Sequence, residues 1–251
     1  MKKINLDKDI LTDLYFNEDY TAAEIGKLLN VSSSTVQNYL HKYSIKIKGA
    51  KYFHMLPKII FSNKQYDFFD GLIFSDGSVV VKRKNNGSII GNCQVSCGFK
   101  YKEFAEYINK FLTMNSSIGI KKSNDKRYIN TCITYSLMSP SNILFTEERQ
   151  RWYPNGKKII PPDFRFSPIS MNIAYLGDGH LDKTDKYILI STQAFDTNSL
   201  ENIIIKKLHD IKIECWLNKQ NNIYIPKRSV SGFLNFIGDC PIECYKYKWK
   251  K

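Results

Sequence analysis

Two stretches of this chain end alike. Residues 68–77 read FFDGLIFSDG and residues 171–179 read MNIAYLGDG, each an apolar run that stops at an acid followed by a glycine. The acids, Asp76 and Asp178, stand 102 positions apart in a chain of 251 residues. An internal repeat restricts the fold more than any other feature, because both copies must adopt one architecture and bury matching apolar helices.

The segments after the two runs correspond as well. After Gly77 come SVVVKRK, the turn signal NNG and IIGNCQVSCGF. In the last of these Cys93, Val95, Cys97 and Phe99 alternate with Asn92, Gln94 and Ser96, the pattern of a half-buried strand. Phe104, Tyr107, Ile108, Phe111 and Leu112 then recur at helical spacing. SSIGIKK and RYINTCITYS predict two more strands, and a helix from Pro140 to Trp152 closes the copy. The second copy repeats the order with a short strand, KYILISTQAF, a helix from Thr197 to Ile211, ECWLNKQ and NIYIPKR around Asn221–Asn222, and a helix from Ser229 to Gly238. Each copy reads αββαββα. This is an α+β chain in which an antiparallel sheet is covered by helices on one face. The halves span 67–153 and 167–251, joined by 154–166.

Residues 1–48 predict three short helices, and 49–66 a linker. Ile10, Leu11, Leu14 and Tyr15 form one apolar face. Thr21 with Glu24 makes a capping box ahead of Ile25, Leu28 and Leu29. Asn30-Val31-Ser32 turns the chain into a third helix, Ser33 to Lys42, with Val36 and Leu40 inward. TAAEIGKLLNVSSSTVQNYLHKY resembles a helix-turn-helix. In that family the third helix enters the major groove, which implies base or phosphate contacts from Ser33, Ser34, Gln37, Asn38 and His41. Protein contact alone is the other reading of such a module.

Charge sharpens the division. The chain carries 37 Lys+Arg against 24 Asp+Glu, a net +13, which favours a polyanionic partner over an inert basic surface. Residues 1–48 hold seven lysines and six acids, so +12 falls on the rest. The open sheet face is expected to be polar and basic, with Lys82, Lys84, Asn92, Gln94, Lys121, Arg127, Ser191, Gln193, Lys219 and Lys227 as candidates for reaching double-stranded DNA. Cys93, Cys97, Cys132, Cys215, Cys240 and Cys244 lack common zinc spacing and read as free thiols. No apolar run approaches the length of a membrane span, and MKKINLDKDI lacks a signal-peptide core, so no membrane partner and a cytoplasmic, or organellar, address are expected.

DGLIFSDG and IAYLGDG, with WYPNGKKIIPP before the second run and the closing ECYKYKW, resemble the LAGLIDADG homing endonucleases, in the single-chain subgroup with two motif copies. The resemblance covers residues 66–251. It implies motif helices packed together on a pseudo-twofold axis, with Asp76 and Asp178 at their ends below a saddle of sheets. There, with Gly77 and Gly179, they are expected to hold a divalent metal. Hard oxygen ligands suit Mg2+, and a carboxylate-held metal activates water and offsets leaving-group charge in phosphodiester hydrolysis. One acid per copy gives one cut per strand, across the minor groove. The resemblance also implies water-ordering roles for Gln94 and Gln193 on matching strands, and a pocket lysine at Lys227. The first copy has no lysine near Leu137 and Met138, so the two sites are expected to differ in rate. At the third motif position, where a small residue allows close helix contact, Gly71 is matched by Ile173, and Ala174 is expected to take up the contact.

The function expected is site-specific double-strand DNA cleavage by a monomer, from an intron-borne or free-standing gene. The alternatives are an RNA maturase acting on host intron RNA and a non-cleaving DNA-binding regulator.

Overall fold

A computed structural model describes residues 6–18, 20–45, 58–83, 89–123, 132–182, 184 and 186–249. The chain divides into two compact units, Met1–Phe53 and His54–Lys251.

In the first unit α1 (Lys8–Thr12) widens into a π-helical turn, and then come α2 (Ala22–Leu28) and α3 (Ser33–Lys42). Thr21 and Glu24 form the capping box of α2 by reciprocal bonds, and Ser32 caps α3 by accepting from the Thr35 amide. Asn30 turns the chain at φ +53°. A Cβ on Gly26 would lie 2.8 Å from the Val31 carbonyl oxygen, so this glycine lets α2 close on the turn. Leu11, Tyr15, Ile25, Val36 and Leu40 form the core with Leu6 and Ile45. Two expected inward residues are not there: Ile10 is 53% and Leu28 59% exposed. The four-residue pairs Leu11/Tyr15 and Ile25/Leu29 take the inward faces and turn Ile10 and Leu28 outward.

The second unit carries two halves of the same topology. The first comprises α4 (Asn63–Phe74), β1 (Gly77–Arg83), β2 (Ile89–Phe99), α5 (Lys102–Leu112), β3 (Ser117–Ser123), β4 (Cys132–Met138) and α6 (Ile143–Trp152). The second comprises α7 (Pro168–Asp178), β5 (Gly179–Leu181), β6 (Tyr187–Ile190), α8 (Thr197–Ser199) running through a π-helical stretch into α9 (Lys206–Asp210), β7 (Trp216–Leu217), β8 (Ile223–Pro226) and α10 (Lys227–Ile237). Strand orders β1-β2-β4-β3 and β5-β6-β8-β7 are identical, and every pair is antiparallel. The α+β class and the repeated order of elements stand as expected. In β2 the alternation holds, with Cys93, Val95, Cys97 and Phe99 buried in the core. Among the described cysteines, 93, 97, 215, 240 and 244 are free thiols.

The second sheet is shorter than its sequence suggests. β6 stops at Ile190, where Thr192 leaves the ladder. Its amide donates to Asn222 Oδ1 and its hydroxyl to the Asn221 carbonyl, so side-chain amides replace strand pairing. The edge of β2 is closed in a related way: Ser139 accepts from the Val95 amide, and Thr146 from that of Cys93.

The motif helices α4 and α7 fill the centre. Ser62 with Gln65 caps α4, and Ser167 with Ser170 caps α7, whose first residue is Pro168. The two backbones all but touch. A Cβ on Gly71 would lie 2.2 Å from the Ser170 carbonyl oxygen, and one on Gly177 would lie 2.6 Å from Ser75 Oγ. The close contact therefore falls at Ser170 and Gly177 of α7, while Ala174 is fully buried. Asp70, completely buried in mid-helix, is held by Arg151 through two bonds of 2.6 and 2.9 Å and by the Arg165 amide. Those bonds tie α4 to α6 and to the segment joining the halves. No helix among the described residues is long and apolar enough to cross a membrane.

Candidate active site

The acid-glycine pattern has a steric cause. After each motif helix the chain turns straight back across the last helical turn to start a strand. A Cβ on Gly77 would lie 2.6 Å from the Leu72 carbonyl oxygen, and one on Gly179 only 1.9 Å from the Tyr175 ring. Any larger residue would force the strand away. The turn leaves Asp76 just past the end of α4 and Asp178 as the last residue of α7.

A helix C-terminus is an unfavourable place for two carboxylates, since unpaired carbonyls give it partial negative charge. Two lysines answer this. Lys158 donates to the carbonyls of Ser75 (3.2 Å) and Gly77 (3.0 Å). Lys248 donates to those of Tyr175, Leu176 and Gly177 at 3.3, 2.6 and 3.2 Å. Lys158 lies in GKKIIPP between the halves. Lys248 closes a 3-10 turn, Glu243–Lys248, which Tyr175 pins by donating its hydroxyl to the Lys248 carbonyl.

The four groups form one electrostatic site. Burial raises the Asp178 carboxyl to about 6, and the Asp76 charge adds to the rise. Burial also raises Asp76, while Lys248 and Lys158 pull it down. Asp76 itself reaches solvent at the surface, so its desolvation comes from the protein crowded around and beneath it. Burial lowers both lysines to about 8 against the pull of the two acids.

The other candidates are dispersed. Gln94 is buried on β2, and its Nε2 donates to the Ser139 carbonyl at 2.7 Å. Gln193 is not its counterpart. Gly77 faces Cys97 and Gly179 faces Ile190, so the register partner of Gln94 is Tyr187, and Gln193 lies exposed in a turn past β6. Lys227 is exposed at the start of α10 and is not among the charges acting on either acid. The chain places Lys158 and Lys248 at the acids instead. Both stand in segments that carry the family resemblance, which implies a lysine beside the last helix rather than in either segment. The Gly77 carbonyl accepts from Lys158, and Gly179 is paired with Ile190 between β5 and β6. Ser191 is exposed, and its amide donates to the Asp178 carbonyl. Asn92 is half-buried and accepts from Thr146, rather than standing free on the sheet face. Lys219 is exposed in the β7–β8 turn. Lys82 and Lys121 lie on β1 and β3, while Lys84 and Arg127 fall outside the described residues. On α3 of the first unit Ser33, Ser34, Gln37, Asn38 and His41 are all exposed.

Comparison with known proteins bears on this arrangement. An uncharacterised protein of Methanocaldococcus jannaschii, MJ1098, is 28% identical over 175 residues, covering 67% of this chain and 64% of that protein. The chain thus spans less than two thirds of that relative's length. The homing endonuclease I-WcaI, solved bound to its DNA recognition sequence, shares the fold with a TM-score of 0.61 at 22% identity, over 79% of this chain and 90% of that one. A variant of I-DmoI, solved with nicked target DNA in the presence of manganese, matches at a TM-score of 0.45 and 15% identity, over 70% of this chain and 96% of that one. The model described as the LAGLIDADG DNA endonuclease family matches residues 66–233, which include all of α7, α4 from Tyr66 onward, both acids and Lys158. The chain belongs to the LAGLIDADG DNA endonuclease family.

Proposed function

We propose that this protein is a site-specific endonuclease that hydrolyses one phosphodiester on each strand of double-stranded DNA. The observation that carries this reading is the pairing of Asp76 and Asp178 at two touching helix ends, with the half-buried Lys158 bonded at one and the buried Lys248 at the other. Burial disfavours both ionised carboxylates, so a cation held by Asp76 and Asp178 would relieve an existing cost. Their donors are hard oxygens of the kind Mg2+ takes. When bound, the metal supplies Lewis acidity toward the phosphate and a lowered pKa for water. Lys158 and Lys248, poised at about 8, oppose charge building on the phosphate and hold or release a proton near neutral pH. The Gln94 amide, fixed through its nitrogen to Ser139, keeps its oxygen free to orient a water. Both acids come from one chain, which supports action as a monomer. The first unit, with its exposed polar residues on α3, extends contact with the target as a helix-turn-helix.

The test is cleavage of duplexes drawn from a randomised pool. Asp76→Asn and Asp178→Asn should each abolish Mg2+-dependent cutting of one strand and preserve binding. Lys158→Met and Lys248→Met should slow cutting by about 100-fold or more, the scale of a lost acid-base or charge-stabilising group. Binding without any cut by the wild type would favour the regulator. Cutting that survives both Asn substitutions would refute the site.

A further inference from the structure

The two sheets turn different surfaces outward, away from the helices. On the first, the rows across β2, β4 and β3 read Ser96–Met138–Ser117 and Gly98–Ser136–Gly119. Among the described residues these rows are small and polar except for Met138, which is 38% exposed. On the second sheet the row across β5, β6, β8 and β7 reads His180–Leu189–Tyr224–Trp216, and Tyr187 lies beside it. This corrects the expectation of a uniformly polar and basic face. The rings form a ladder: Tyr187 stacks on Tyr224 at 5.0 Å and 23°, and Trp216 packs against Tyr224 at 4.9 Å with a tilt of 33°. Trp216, on the outer strand, is 43% exposed.

Cross-strand ring pairs help hold together a sheet of such short strands. That accounts for stacking but not for an apolar ridge left open on the outer face of the sheet. Lys186, Lys219 and Lys227 are exposed around it, a cationic rim around an apolar centre. A polyanion with apolar groups on its inner surface complements that arrangement, and in the DNA major groove those groups are the 5-methyls of thymine. Tyr224 lies between the other two rings, which cover its faces, so the ladder offers no continuous platform for successive bases. Stacking of unpaired bases, as single strands require, is thereby disfavoured.

Building on the endonuclease reading, we infer that Tyr187, Tyr224 and Trp216 read thymine methyl groups in the major groove, so that the half-site under the second sheet is rich in A·T pairs and the other is not. The ladder thus acts as a specificity determinant confined to one half of the target.

The experiment selects duplexes bound by the full chain without divalent metal from a randomised pool, then replaces thymine by deoxyuridine in one half-site at a time. The expected result is thymine enrichment in one half-site, and affinity that falls about fourfold for each contacted methyl removed there. Deoxyuridine in the other half should change nothing. Trp216→Ser should shrink the difference between thymine and deoxyuridine by the share of the methyl that Trp216 contacts, whereas Tyr224→Phe, which keeps the ring, should preserve the difference in full. The replacement in DNA needs no altered protein, so a misfolded variant leaves the test intact. Tight duplex binding that ignores the methyls would overturn the ladder while leaving the endonuclease reading in place. Preference for single-stranded RNA over every duplex would overturn both.

Discussion

At the scale of single residues, two buried charge arrangements behave in opposite ways. Asp178 has no hydrogen-bonded cation, and burial raises its carboxyl to about 6. A carboxyl whose folded pKa lies above its unfolded value near 3.9 binds more protons in the folded state between those two values. Its ionisation therefore penalises the fold fully above about pH 6, and the penalty vanishes as pH falls below about 4. Asp178→Asn should accordingly raise metal-free stability at pH 7.5 by about 3 kcal/mol and leave it nearly unchanged at pH 4, read by urea unfolding at the two pH values. Asp70 has a direct cationic partner instead. It is fully buried but bonded through both oxygens to Arg151. Arg151→Ala should cost about 3–5 kcal/mol, since it leaves an uncompensated buried carboxylate. Adding Asp70→Asn should recover part of that loss in the same unfolding experiment. Stabilisation by Arg151→Ala alone would contradict the pairing.

At the scale of elements, the motif helices are defined by what they lack. Gly71 and Gly177 allow two backbones to meet, and Gly77 and Gly179 allow each strand to fold back over its helix. Gly71→Val should therefore lower stability by about 1–3 kcal/mol or more, because its side chain would enter the Ser170 backbone. The same variant should slow cleavage at both strands, because separating α4 from α7 separates Asp76 from Asp178. A Val variant with wild-type stability and cutting would sink the close-contact account. The strands are legible in the sequence with less accuracy than the helices. Alternation places β2 correctly, but it extends β6 through Gln193, because Thr192 and Asn222 end the ladder by bonds between residues 30 positions apart. The pairing of Gln94 with Gln193 fails for the same reason: it counts residues from the acids, whereas strand register, set by Gly77–Cys97 and Gly179–Ile190, determines correspondence.

At the scale of the whole molecule, the two units have separate cores. Removing residues 1–53 should leave Mg2+-dependent cutting at saturating protein while weakening target binding. Titrations at several salt concentrations should show a smaller salt slope for the shortened chain, as its phosphate contacts are fewer. Loss of all cutting at saturation would contradict the two-unit account. The sequence by itself determined the duplication, the α+β order within each half, the Thr21–Glu24 capping box and the acid-glycine ends of the two motif helices, because periodicity, capping chemistry and an acid-glycine turn are local properties. Only the tertiary structure decided which lysines serve the acids and that one sheet carries an aromatic ladder. Lys158 and Lys248 reach the helix ends from segments far away in the chain, and the ladder forms across strands, so both depend on contacts that no local pattern encodes.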